Sequence, residues 1–250
     1  METTTLSIIE PDSFKSLPGI VAGFSTRHGG TSESPYTSLN LGLSVGDDRD
    51  RVLENRRRLF EPLGFTIDQL AIAGQVHGHE IKEITEPGLF PGFDGMVTRE
   101  PRILLAISAA DCAAVLLADA EARVIGACHS GWRGTVARIS ARTVDAMERL
   151  GARRDHIHAY ISPCISAEHF EVGPEVAEHF DAAFIHYQPD HPKPFIDMKG
   201  AITAQLQEAG VPAQAIEVSP ICTYARTDTF FSHRAESGQT GRMMGFIALT

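Results

Sequence analysis

Apolar runs of strand length alternate with stretches of helical periodicity along this chain, and turn residues punctuate them. IVAGFST (20–26) is a short apolar run that feeds RHGGTSESPYTS, a Gly/Ser/Pro-rich loop. RVLENRRRLFEPLG (51–64) has an apolar side made by Val52, Leu53, Leu59 and Leu63, and Gly64 is its natural stop. AIAGQVHG (71–78) reads as a strand that runs into a turn. ILLAISAA (within 102–110), AVLLAD (114–119) and RVIGACHS (123–130) are three apolar runs of buried-strand length. GTVARISARTVDAMERLG (134–151) predicts one long helix: Val136, Ile139, Val144, Met147 and Leu150 recur at helical spacing, with charged residues between them. HIHAYISP (156–163) is the next strand, followed by helices over 174–181 and 197–209, a strand over 215–219 and a closing strand MMGFIALT.

The unit 123–163 is strand, helix, strand, a crossover that predicts parallel pairing of its two strands. Elements of both types alternate from end to end, with no linker, internal repeat or low-complexity segment. A single α/β domain over residues 1–250 with a mixed sheet is therefore expected.

Composition narrows the function classes. The chain has 250 residues, 43% hydrophobic and 22% charged, with a formal net charge of −10. Such an acidic balance argues against a nucleic-acid or anionic-membrane partner, because phosphate binding is driven by clustered Lys and Arg. The longest apolar stretch, ILLAISAADCAAVLLADA, is broken by Asp111 and reads as two buried strands rather than a membrane span. METTTLSIIEPDSF lacks a basic region followed by an apolar run, so a cytoplasmic location is expected. The four cysteines, Cys112, Cys128, Cys164 and Cys222, then read as thiols rather than disulfides.

Three residues stand where strands end and loops begin: His77 in QVHG, Cys112 in ADC and His129 in CHSGWRG. Two imidazoles and a thiol suit zinc, and three protein ligands leave the fourth tetrahedral position open, as in catalytic sites. The spacings, 35 and then 17 residues, follow no local zinc-finger pattern. The same residues permit a metal-free reading. In it Cys112 is a nucleophile activated by His129 or His77, and Asp111 orients the base. GWRGT (131–135) opens the long predicted helix, whose N-terminal amides attract anions, and Arg133 adds a bidentate donor. Arg27, Arg234 and Arg242 are further candidates for contact with an anionic substrate.

GFSTRHGGTS, SLNLGLSVGDD with the following ENRRRL, QVHG, FDGMVT, ISAADCAAVLLAD, GACHSGWRGT, SPCISAEHFEVG and CTYARTDTFFSHR…TGRMMGFIAL together resemble, in this order, the YfiH family. It is also called the laccase-domain, multi-copper polyphenol oxidoreductase or purine nucleoside phosphorylase family. The resemblance runs from about residue 20 to the C-terminus. It implies a layered α/β sandwich with mixed sheets, related to the catalytic domain of cytotoxic necrotizing factors. It places the metal ligands on His77, Cys112 and His129. It implies phosphorolysis of adenosine, inosine and 5′-methylthioadenosine, with adenosine deaminase activity beside it, on a monomer or homodimer. Zn2+ is the expected ion, with Cu2+ the alternative that the older family name carries. A peptidoglycan-editing cysteine hydrolase is a further alternative. For the phosphorolytic and deaminating reactions, Arg27, Arg133 and Arg242 are candidates to hold phosphate, and Asp111 or Glu171 to move a proton. The chain departs from the family's pattern at Ala113 and Ala114 after the cysteine, and at Ser162 and Ser166 in SPCIS.

Overall fold

The computed structural model describes residues 5–250; the first four residues of the N-terminal stretch read above lie outside it. Among the described residues, fourteen strands form two six-stranded mixed sheets and one small hairpin. The first sheet runs β1 (Ile8–Ile9), β2 (Ile20–Ser25), β14 (Met243–Leu249), β7 (Leu104–Ala109), β3 (Leu70–Ala73) and β5 (Gly88–Phe90). The second runs β13 (Ile216–Val218), β10 (His158–Ile161), β8 (Ala113–Asp119), β9 (Val124–Ser130), β6 (Gly95–Thr98) and β4 (Ile81–Glu83). β11 (Ile185–His186) and β12 (Phe195–Ile196) make the hairpin. The helices are α1 (Asp12–Lys15), α2 (Arg49–Phe60), α3 (Trp132–Val136), α4 (Ile139–Arg149), α5 (Pro174–Ala177) and α6 (Met198–Glu208).

The apolar runs explain the layering. All seven residues of β8 are buried. Strand geometry sends alternate side chains to opposite faces. Ala114, Leu116 and Ala118 enter the core between the two sheets, while Ala113, Val115 and Leu117 enter the core under α4 and α6. β7 and β14 divide likewise. Leu105, Ile107, Met243 and Ile247 face the second sheet; Leu104, Ala106, Met244 and Phe246 face the other way, towards Leu59 and Phe60 of α2. The order of layers is helix, sheet, sheet, helix. The sheets approach closely at Gly245, where a Cβ would lie 2.5 Å from that of Ala114.

Four local expectations change. The crossover strands β9 and β10 do run parallel, but β8 lies between them, antiparallel to both. The long helix predicted over 134–151 is two helices. Arg138 takes the left-handed conformation (φ 61°, ψ 40°), ending α3 and redirecting the chain into α4. Apolar spacing runs smoothly through this break, because both helices bury one side. The helix over 51–64 also shortens: α2 ends at Phe60, a 3-10 turn follows, and Gly64 (φ 82°) stops it. Asp48 caps its start by accepting from the N–H groups of Asp50 and Arg51. Over 174–181 only the single turn α5 is helical. No helix among the described residues is long and apolar enough to cross a membrane.

Candidate metal centre

β3 ends at Ala73, and the predicted continuation to residue 78 is a loop in which Gln75 (φ 36°) and His77 (φ 58°) adopt left-handed conformations. A buried carboxylate holds that loop. Asp94, fully excluded from solvent, accepts from the N–H groups of Val76 (2.8 Å), His77 (3.1 Å) and Gly78 (2.8 Å). The same carboxylate lies 2.9 Å from Nδ1 of His129. The second ligand candidate, Cys112, sits in the turn that carries the chain from β7 to β8, just after Asp111 in a left-handed conformation (φ 80°). The third, His129, is the penultimate residue of β9.

These elements bring His77, Cys112 and His129 together: their ligand atoms all lie within 4.8 Å of one another. The two imidazoles stand edge to face, 4.8 Å between ring centres. Gly131 closes the floor, and a Cβ there would come within 3.1 Å of both Sγ of Cys112 and Nδ1 of His77. His129 is buried, Cys112 half-buried and His77 exposed, so the cluster is reached from one side. Burial opposes a charge on His129, yet the Cys112 sulfur and the Asp94 hydrogen bond outweigh it and push its pKa up to about 9. Burial, then His129, lowers that of His77. Burial works to raise the Asp94 pKa, but its bonds from His129, Gly78 and Val76 prevail and lower it.

The donor set fits a borderline-soft divalent ion. It offers two imidazoles and a thiol, with a carboxylate taking the far nitrogen of one imidazole and so presenting Nε2 to the centre. The carboxylate that orients His129 is therefore Asp94. Asp111, expected in that role, instead ties the cavity wall together. Its Oδ1 accepts from Oγ1 of Thr223 (2.7 Å), and its Oδ2 from Oγ of Ser232 (3.1 Å) and the N–H of Arg234 (2.7 Å). Asp94 went unassigned at the level of sequence. FDGMVT marks it only as an acidic residue at the entry to a strand, and its partner is 35 residues away.

The cluster opens into a cavity of about 160 Å³. Ala110, Ala113, Ile165, Phe170 and Met198 make one side apolar, while Arg133, His233 and Arg234 bring positive or proton-bearing groups to the other. Arg133 lies over the Trp132 ring at 4.4 Å, and no acidic side chain pairs with it among the described residues. Because α3 spans only five residues, Arg133 itself, rather than a long helix terminus, supplies the positive charge. The other expected substrate contacts do not line this cavity. Arg27 donates to the carbonyls of Thr37 and Thr227 and pairs with Glu236 at 3.1 Å, beside a different cavity. Arg242 donates to the carbonyls of Thr240 and Gly241 and does not line the cavity. Glu171 lines the neighbouring compartment and pairs with His191 and Lys193. Ser162, one of the departures noted above, accepts from the N–H of Ala114 and so braces β8 from behind.

A family model described as "Multi-copper polyphenol oxidoreductase laccase" matches residues 21–250. A protein of Deinococcus radiodurans named "Purine nucleoside phosphorylase" is 46% identical over 228 residues, 90% of this chain and 88% of that one. "Adenosine deaminase RL5", from an unknown prokaryotic organism, is 36% identical over 247 residues, 92% of this chain and 94% of the relative. Among solved structures, "Crystal structure of Bacillus licheniformis hypothetical protein YfiH" superposes with a TM-score of 0.91 at 30% identity, covering 100% of this chain and 98% of that one.

Proposed function

The chain belongs to the multi-copper polyphenol oxidoreductase laccase family, the YfiH family, and from that premise we propose a metal-dependent purine nucleoside phosphorylase that also deaminates adenosine. The names of its relatives support a purine-nucleoside-processing enzyme. One observation supports the finer reading: the convergence of His77, Cys112 and His129 beside a cavity that also holds Arg133, a guanidinium with no acidic partner among the described residues.

In this reading those three residues hold the ion, with Zn2+ the expected species, and when bound it supplies Lewis-acid chemistry. The apolar side formed by Ala110, Ile165 and Phe170 takes the purine ring and keeps water from it. Arg133 holds phosphate against the sugar. A phosphate oxygen forms the new bond to C1′, the bond from C1′ to the base breaks, and its electron pair leaves with the purine, which takes up a proton. Substrates of the class are adenosine, inosine and 5′-methylthioadenosine. Coupled electron transfer among several copper ions would need several ligand clusters, and among the described residues one forms.

A second reading has its own support. Cys112, His129 and Asp94 also form a thiol–imidazole–carboxylate series, the arrangement of a cysteine hydrolase. Chromatography of products from adenosine, run with and without phosphate and with and without a chelator, separates the two. Adenine released only with phosphate, and lost on chelation, is the expected result. No purine product under any condition, with amide hydrolysis surviving chelation, would overturn it in favour of the hydrolase.

A further inference from the structure

The compartment beside the cluster, about 160 Å³, is smaller than the roughly 300–1,000 Å³ usual for ligand sites. A second compartment of about 390 Å³ adjoins it and shares three walls with it, Trp132, Phe170 and Arg234. The two share enough wall that a ligand beside the metal ligands has room to extend past Trp132 and Phe170 into the second space.

The chemistry of that second space is specific. Val172 and Val176 make its floor apolar, and four charged side chains rim it. Glu171 is held by His191 at 3.0 Å and more loosely by Lys193 at 3.6 Å. Glu175, in the single turn α5, has no cationic partner among the described residues. Lys193 is 58% exposed and spends one weak contact on Glu171. Arg234 donates Nη1 to the Glu171 carbonyl, leaving its other donors free. One rim thus offers a carboxylate that accepts from an ammonium and cations that donate to a carboxylate. A bare phosphate would meet two carboxylates there, which disfavours it. A neutral group would leave both signs of charge unanswered. The group that answers both is the zwitterion of an α-amino acid.

We propose that the second compartment binds an α-amino-acid group carried on the 5′ end of a purine nucleoside. The ammonium pairs with Glu175 and the carboxylate with Lys193 and Arg234. This rests on the purine reading of the first compartment and adds a ligand class to it: nucleosides with a zwitterionic 5′ substituent.

Calorimetric titration of the zinc-loaded protein tests this with three probes: adenosine, S-adenosyl-L-homocysteine, and adenosine 5′-monophosphate as an anion without an ammonium. The amino-acid-bearing nucleoside is expected to bind about tenfold tighter than adenosine, the size of one charge-assisted hydrogen bond, and the monophosphate no tighter. Lys193→Ala and Glu175→Gln should each remove most of that gain and leave adenosine unchanged, and Lys193→Arg should keep it. Adenosine binding with no gain for the amino-acid-bearing probe overturns this inference alone, as does a gain that both variants retain. No binding of any probe overturns the purine reading and this inference with it.

Discussion

At the scale of single residues, the centre depends on one carboxylate that makes four bonds. Asp94 fixes the His129 ring through Nδ1 and fixes the His77 loop through three amides. Outer partners of this kind set the tautomer and orientation of a ligating imidazole, and losing one costs 10–100-fold in metal affinity as an order of magnitude. Asp94→Asn keeps the size but removes the charge and turns one acceptor into a donor, which then faces an amide N–H or an imidazole N–H. Its zinc affinity, measured by chelator competition, is expected to fall by roughly 10–100-fold. Unchanged affinity would mean that the carboxylate merely fills space. The sequence marked the three ligand candidates near junctions of strands and loops, and the resemblance to the YfiH family singled out the same three; in the fold His77 lies in the loop beyond β3, Cys112 in the turn before β8 and His129 at the end of β9. Asp94 was not marked, because its role exists only once β6 is placed against β9. Arg27 and Arg242 show the limit of that signal: an arginine near a strand end looks the same whether it faces a cavity or clamps carbonyls.

At the scale of elements, periodicity identified the strands that are buried on both faces and the helices that cover them. Short edge strands such as β4 and β5, each three residues, carry too little pattern to be seen. The break between α3 and α4 escaped because a single left-handed residue does not disturb apolar spacing. That break matters for the site. α3 is preceded by Gly131, whose extended backbone (φ −76°, ψ 172°) any residue could adopt. The demand for glycine is therefore steric: a Cβ would press on Sγ of Cys112 and Nδ1 of His77 at 3.1 Å. Metal–ligand distances tolerate only about 0.2 Å. Gly131→Ala should consequently weaken metal binding by about tenfold, or about 1.4 kcal/mol. Metal-free stability should change by less than about 1 kcal/mol, since no backbone strain is added. Metal affinity and urea unfolding of the metal-free variant check the two halves. Normal affinity in the alanine variant would show that the floor yields.

At the scale of the whole molecule, the ligand candidates come from both sheets. His77 follows β3 of the first sheet, His129 belongs to β9 of the second, and Cys112 sits on the connection that passes between them. An ion gripped by all three therefore adds a further tie between the two sheets at one end of the core, where Asp94, at the entry to β6, already fixes the His77 loop through three amides. Binding that favours the native state stabilises it by about 2.7 kcal/mol when free ion is a hundredfold above Kd. For a chain of this size, each kcal/mol shifts Tm by about 2–4 °C. Zinc should then raise Tm by on the order of 5–10 °C, and a chelator should reverse the shift. His77→Ala removes the ligand candidate carried by the loop after β3 of the first sheet. It should lose most of the zinc-dependent gain while its metal-free Tm stays near that of the parent, because an exposed side chain contributes little to packing. If the variant melts with the full zinc-dependent shift, the ion is held within the second sheet and its connecting turn, and the bridge between the sheets does not exist.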